Sequence, residues 1–304
     1  MGIIKYLLGW PLSLIAILFI IKIVIDRSDE IIPHLYRINI SYLLISAIFF
    51  FVYYFSRSVL WKEILKNSGY KINLLDNTYR FGISELKRFV PGNIWSFLSR
   101  AVLFNEIGVD KTTIAKGLLT EVQLIIIGCL SVSIFSFPWI LDADPSLKLK
   151  LFSLLPVSFI AIFIFFGVTA YIFKRKYSKK DSLLSFVFLP EIPMRQKARL
   201  IVISIFVFAA FGLANFMVFL AVFPDSISQI VILSSFFTFS LLVGYLSFIT
   251  PMGLGVREGV ITLGLLKTMN IAQAGFFAIF SRIVLIFSEL IYLFSIFLLY
   301  KFKK

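Results

Sequence analysis

The sequence predicts an all-α polytopic membrane protein: about six full transmembrane helices plus two re-entrant helical hairpins in an inverted repeat, with about seven or eight plain spans as the alternative. Three observations carry this. The 304 residues are 60% hydrophobic with a mean hydropathy of +0.96, and the apolar residues fall into runs able to cross a hydrocarbon core of roughly 30 Å. Runs such as LLISAIFFFVYYF (43–55) are continuous, which excludes a β-barrel, whose strands alternate in polarity. Two proline-glycine breaks also stand at matching places in the two halves of the chain.

Taken in order, apolar segments lie at about 3–25, 40–61, 113–141, 149–173, 198–223, 228–250 and 271–300. The first is too long for a signal peptide and no small-x-small cleavage site follows it, so it reads as a retained helix. Flanking charges set the orientation. The loop at 26–39 mixes Asp26, Arg27, Asp29, Glu30 and Arg37, the loop at 142–148 holds Asp142 and Asp144, and 224–227 holds Asp225, so these face outward. KRKYSKKDS (174–182) and the stretch 62–88, with Lys62, Lys66, Lys71, Arg80, Lys87 and Arg88, face the cytoplasm. If every segment crossed, the terminal KFKK would lie outside, against the positive-inside rule, so one segment does not cross.

An internal repeat identifies it. PGNIWSFLSRAVLFNEIGVDKTTIAKGLLTEVQLI from Pro91 and PMGLGVREGVITLGLLKTMNIAQAGFFAIFSRIVLI from Pro251 share a plan: a break, a short helical stretch of roughly 13 residues bearing an arginine, a turn, and a long apolar span. Such a stretch rises only about 20 Å, too little to cross. The repeats cover 40–141, with a re-entrant turn near 91–95, and 198–300, with a turn near 251–256, inside one integral membrane domain spanning 1–304. With 74–90 and 228–250 as the entering legs, both termini are cytoplasmic and the two hairpins enter from opposite faces, a layout that places a site near the midplane.

Charges at that depth are the candidate site. Arg257, in a turn with Gly253 and Gly255 at the start of a helix, combines a forked cation with backbone N–H groups that suit a phosphate. Arg100, with Gly92 and Asn93, is its rough counterpart in the first repeat. Glu121 and Arg282 each lie about 30 positions after their proline and well inside a span, where an ionised group costs about 2.5–3.5 kcal/mol. Together with Glu258 and Glu289 they form either a translocation path or a charge pair, the simplest pair being Glu121 with Arg282.

Other chemistry finds little support. The net charge of +14 clusters beside apolar runs, which is membrane topology and lipid headgroup contact, not nucleic-acid binding. One histidine (His34) and one cysteine (Cys129) argue against a protein zinc site or a Cys/His catalytic pair, and no nucleotide-binding or hydrolase motif is present. No catalytic residue, metal or cofactor is therefore expected.

Three motifs carry a resemblance: SRSVLWKEILKNSGYKI (56–72), FVPGNIWSFLSRAVLFNEIGVDKTTIAKGLLTE (89–121) and TPMGLGVREGVITLGLL (250–266). In their order and spacing the chain resembles the membrane domain of lysylphosphatidylglycerol synthases and the free-standing flippase-like proteins built from that domain alone. The family pattern often has Pro-Gly-Gly-Ile-Gly in the first turn, where this chain has Pro91-Gly92-Asn93-Ile94-Trp95. No lysyl-transferase domain follows, so the resemblance implies no lysylation. It implies instead an inner-membrane translocase for an anionic lipid, either a phospholipid or a polyprenyl-phosphate-linked saccharide. The alternative is a membrane scaffold partnering glycosyltransferase or polysaccharide-assembly proteins.

Overall fold

A computed structural model describes residues 36–89, 95–140, 193–247, 250 and 253–303, with a few positions between 18 and 33. The expected crossings at 3–25 and 149–173, the basic stretch KRKYSKKDS, and the first turn with Gly92 and Asn93 lie outside the described residues. Every described element is helical: α1 (Ile40–Asn67), α2 (Leu74–Leu86), α3 (Trp95–Asn105), α4 (Lys111–Ser133, prolonged by short turns to Ile140), α5 (Met194–Val222), α6 (Ile230–Leu246), α7 (Val256–Leu265) and α8 (Ile271–Lys303). Five stretches are long and apolar enough to cross a membrane: 40–67, 111–140, 194–222, 226–246 and 271–303. At 13, 11 and 10 residues, α2, α3 and α7 rise about 15–20 Å and are too short.

Local chemistry sets the helix starts. Asn39, Asn73 and Asp110 stand just before α1, α2 and α4, and each side chain accepts a backbone N–H from the first turn, at 2.8–3.0 Å. Asn270 does the same for α8 through the N–H of Gln273 at 2.9 Å. Inside the bundle α5 is the central post, packed against α1, α4 and α6 and buried along most of its length. Phe211 and Phe219 on α5 meet Tyr53, Phe237 and Phe277 edge-on or tilted, with ring centroids 5.1–5.9 Å apart.

The short helices belong to two antiparallel pairs. At the open end of α2–α3, the Tyr70 hydroxyl donates to Asp110 at 2.7 Å, so the residues before and after the pair meet. Within α6–α7, Gly244 faces Gly253 near the tip, and Gly264 lies under the Phe236 ring toward the open end. Thus α6, though span-like in length and composition, is answered by a helix running back along it.

The open ends point opposite ways. Tyr70 and Asp110 share one end of the bundle with the last turn of α8, where Tyr300 stacks on Tyr79 at 3.9 Å and bonds Asp76 at 3.2 Å. Glu63 of α1 meets Arg199 of α5 at that end too. At the other end the Asn39 N–H donates to the Ala221 carbonyl, and Lys267, just beyond α7, donates to the carbonyls of Trp139 and Ile140 at 2.9 Å. At the two tips Arg88 of the first pair and Gly253 of the second line one cavity, and Gly253 and Gly255 are buried.

Candidate functional site

Around the first tip, buried charges form a closed network. The Glu85 carboxylate accepts from Arg57 at 2.6 Å, from Arg88 at 3.2 Å and from Arg100. Glu121 of α4 accepts from Arg57 at 3.3 Å and from Arg100. Arg100 also donates to the Ser84 hydroxyl at 3.1 Å and lies over the rings of Phe81 and Trp61, 4.2 and 5.0 Å from their centroids. With its charge neutralised and 1% of its surface exposed, Arg100 is engaged by protein groups and stands outside the cavity described below. Glu289 of α8 accepts from Arg88 and, at 3.4 Å, from the Tyr54 hydroxyl.

The simple pair of Glu121 with Arg282 does not form. Glu121 takes Arg57 and Arg100, while Arg282 donates to Glu258 at 2.7 Å. The reason is geometric: each charged residue of a long helix reaches the short helix packed beside it, α3 for Glu121 and α7 for Arg282. Each short helix is thereby tied to the long helix that follows it by one buried ion pair, with the signs exchanged: Arg100 to Glu121, and Glu258 to Arg282.

The second tip is built by backbone shape. Gly253 has φ +65° and Gly244 at its back, where a Cβ would lie 2.5 Å from the Gly244 Cα. Only glycine meets both demands. Gly255 (φ +81°) precedes α7, and its N–H donates to Glu258 Oε2 at 2.8 Å. A side chain of the same helix thus occupies a backbone donor that the sequence assigned to a phosphate, and it answers the helix dipole as well.

Arg257 stands about 100° around the helix from Glu258 and points elsewhere. Its Nη2 donates to Asn215 Oδ1 at 2.8 Å, and its guanidinium lies 5.5 Å from the Phe211 ring centroid. Nε and Nη1, which carry one and two N–H donors, are buried and have no hydrogen-bond partner among the described residues. Arg257 is 2% exposed, and no described carboxylate lies within ion-pair distance of it. An unsatisfied buried cation is costly unless something arrives to pair with it.

What Arg257 lines is a cavity of about 230 Å³ between the two tips. Gly253 and Arg257 come from one tip, Glu85, Arg88 and Ser96 from the other, and Arg282 from α8. Apolar and aromatic side chains, including Tyr53, Tyr54 and Phe211, make most of the remaining wall. A mostly apolar wall with a guanidinium in it suits an anion with planar or tetrahedral oxygens. Among the described residues no grouping of His, Cys, Asp and Glu could hold a metal ion.

Arg257, Gly253 and Arg282 of the predicted site line the cavity; Glu258 and Glu289 support lining arginines from behind, and Arg100 and Glu121 lock α3 to α1 and α4. Sequence reasoning passes over Asn215, Arg57 and Glu85. Arg57 is the legible one, an arginine at the end of the apolar run 43–55; Glu85 lies in the entering leg 74–90 among basic residues that report topology, and Asn215 carries no charge to draw notice. Comparison with known proteins finds no matching family model and no matching curated protein.

Proposed function

We propose that this chain is a flippase-like translocase of the cell (inner) membrane, which carries an anionic lipid between leaflets with the lipid phosphate held by Arg257. One observation carries the reading: a buried arginine fork without an anionic partner among the described residues, aimed into a cavity where the tips of two antiparallel helix pairs meet. The pairs act as re-entrant hairpins of an inverted repeat, entering from opposite faces, with about six crossing helices around them. The basic end of the bundle, with Lys66, Lys111, Lys301 and Lys303, faces the cytoplasm together with both termini. A cavity of about 230 Å³ admits a headgroup and not two acyl chains, so the chains stay in lipid while the headgroup passes inside. The resemblance of the three motifs to the lysylphosphatidylglycerol synthase membrane domain supports the same reading.

A second reading is a scaffold for glycosyltransferase or polysaccharide-assembly partners. It is favoured by the network of Arg57, Glu85, Arg100 and Glu121, whose charges are consumed in holding helices together. Leaflet-to-leaflet movement of labelled phosphatidylglycerol and of a polyprenyl-phosphate sugar in proteoliposomes separates the two. Movement of either lipid, lost in Arg257→Ala at equal reconstitution, supports translocation. Absence of movement with folded, inserted protein favours the scaffold.

A further inference from the structure

The ion pairs around the cavity fix how much charge it can take. Among the described residues five arginines gather there, Arg57, Arg88, Arg100, Arg257 and Arg282, against four carboxylates, Glu85, Glu121, Glu258 and Glu289. Four of the arginines are bound to the four carboxylates; Arg257 is held by the neutral amide of Asn215 instead. The described cavity is thus short of one negative charge. Its walls are mostly apolar, so a charge in excess of that deficit keeps little solvation and is expelled or neutralised.

Resting on the reading that Arg257 meets a phosphate, we infer that the cavity selects a singly charged phosphodiester whose remaining headgroup is uncharged, such as a polyol or a sugar. A non-bridging oxygen accepts from an N–H left open beside Asn215, at Nη1 or at Nε, which lie on different edges of the guanidinium. A doubly charged phosphomonoester brings a second negative charge that no further unpaired cation of the described wall meets. A zwitterionic headgroup brings an ammonium into a wall that holds four arginines and one carboxylate, Glu85, which already accepts from three guanidinium groups. Both are disfavoured for the same reason: the loaded cavity is no longer neutral.

The test uses the full chain in detergent and short-chain lipids of one acyl length: phosphatidylglycerol, phosphatidylcholine and phosphatidic acid, with water-soluble glycerophosphoglycerol as a fourth ligand. Affinity is measured at pH 5 and pH 8, on either side of a phosphomonoester's second ionisation near about 6. Phosphatidylglycerol is expected to bind about tenfold or more tighter than phosphatidylcholine at both values. Phosphatidic acid should approach phosphatidylglycerol at pH 5, where it is singly charged, and fall about tenfold behind at pH 8.

Binding of the soluble phosphodiester would show that the site reads the headgroup itself; binding of the lipid alone would show that the acyl chains supply affinity, and the charge preference is expected in either case. Folded Arg257→Gln should lose the preference for phosphatidylglycerol over phosphatidylcholine, and Arg257→Lys should keep it in weakened form. Phosphatidic acid binding at pH 8 as well as phosphatidylglycerol, phosphatidylcholine binding equally, or no binding at all by folded wild-type protein would overturn the inference. Charge-selective binding without leaflet-to-leaflet movement would leave it standing and remove the translocation reading instead.

Discussion

The Glu258 side chain has two tasks, capping the Gly255 N–H and neutralising Arg282. Glu258→Gln keeps an oxygen for the cap but removes the carboxylate described beside a buried guanidinium. We expect it to lower stability by about 3–5 kcal/mol, read as an earlier unfolding transition in detergent. Replacing both partners, Glu258→Leu with Arg282→Met, should recover much of that loss, because no uncompensated charge remains. If the double variant is no better than the single one, something other than the stranded charge governs stability at this position. The choice of partner is the illegible part of this site. Glu121 and Arg282 occupy matching places after their prolines, and matching places along a sequence do not imply contact. Arg257 can be singled out because a charge beside two glycines in an apolar stretch has few bland explanations; that its partner is the amide of Asn215 cannot, since nothing in the sequence joins positions 42 residues apart.

Between elements, close approach decides what is tolerated. At Gly212, α5 comes against the Ser234 carbonyl of α6, and a Cβ there would also sit 2.6 Å from Thr238 Oγ1. Gly212→Ala should push these helices apart and lower the unfolding temperature. Gly259, inside α7, offers the control: a Cβ would meet nothing within 4 Å. Gly259→Ala should be neutral or should stabilise by up to about 1 kcal/mol through helix propensity. The start of α4 makes a pH prediction. Asp110 accepts from the hydroxyls of Thr112 and Tyr70 and from the Thr113 N–H, and these bonds hold its carboxyl well below the usual carboxylate range. A depressed folded pKa stabilises above the unfolded value of about 3.9 and is lost as pH falls below it. The stability difference between wild type and Asp110→Asn should therefore be full at pH 7 and should shrink below about pH 4. The continuous apolar runs make α4, α5 and α8 legible to within four residues and α1 to within six; the stretch 62–88 carries two signals, basic residues that place it at the cytoplasmic face and an entering leg from 74, and 74–86 is a helix with buried Phe81 and Glu85.

For the molecule as a whole, the sites of chain entry and exit distinguish a hairpin from a crossing. The contact of Tyr70 with Asp110 requires both ends of α2–α3 to lie on one side of the bundle. Cysteines introduced at Ser68 and Asn105 should react with an impermeant maleimide from the same membrane face, the cytoplasmic one, and a cysteine at Thr268 should react from the opposite face. Cys129 is buried in α4, so little background labelling is expected. Labelling of Ser68 and Asn105 from opposite faces would mean that α2–α3 crosses. The exchanged ion pairs have one more consequence. A buried Arg100 to Glu121 or Glu258 to Arg282 pair carries no net charge, so a membrane voltage does almost no work on either when the bundle moves. Arg257 is different, since one elementary charge crossing 100 mV exchanges about 2.3 kcal/mol with the field. Occupied by a monoanion, its cavity is electrically silent; empty, it would be, in the proposed translocation, a charged carrier. The potential would then act on the return of the unloaded protein and leave the loaded step untouched, so the membrane itself would set the direction in which cargo accumulates.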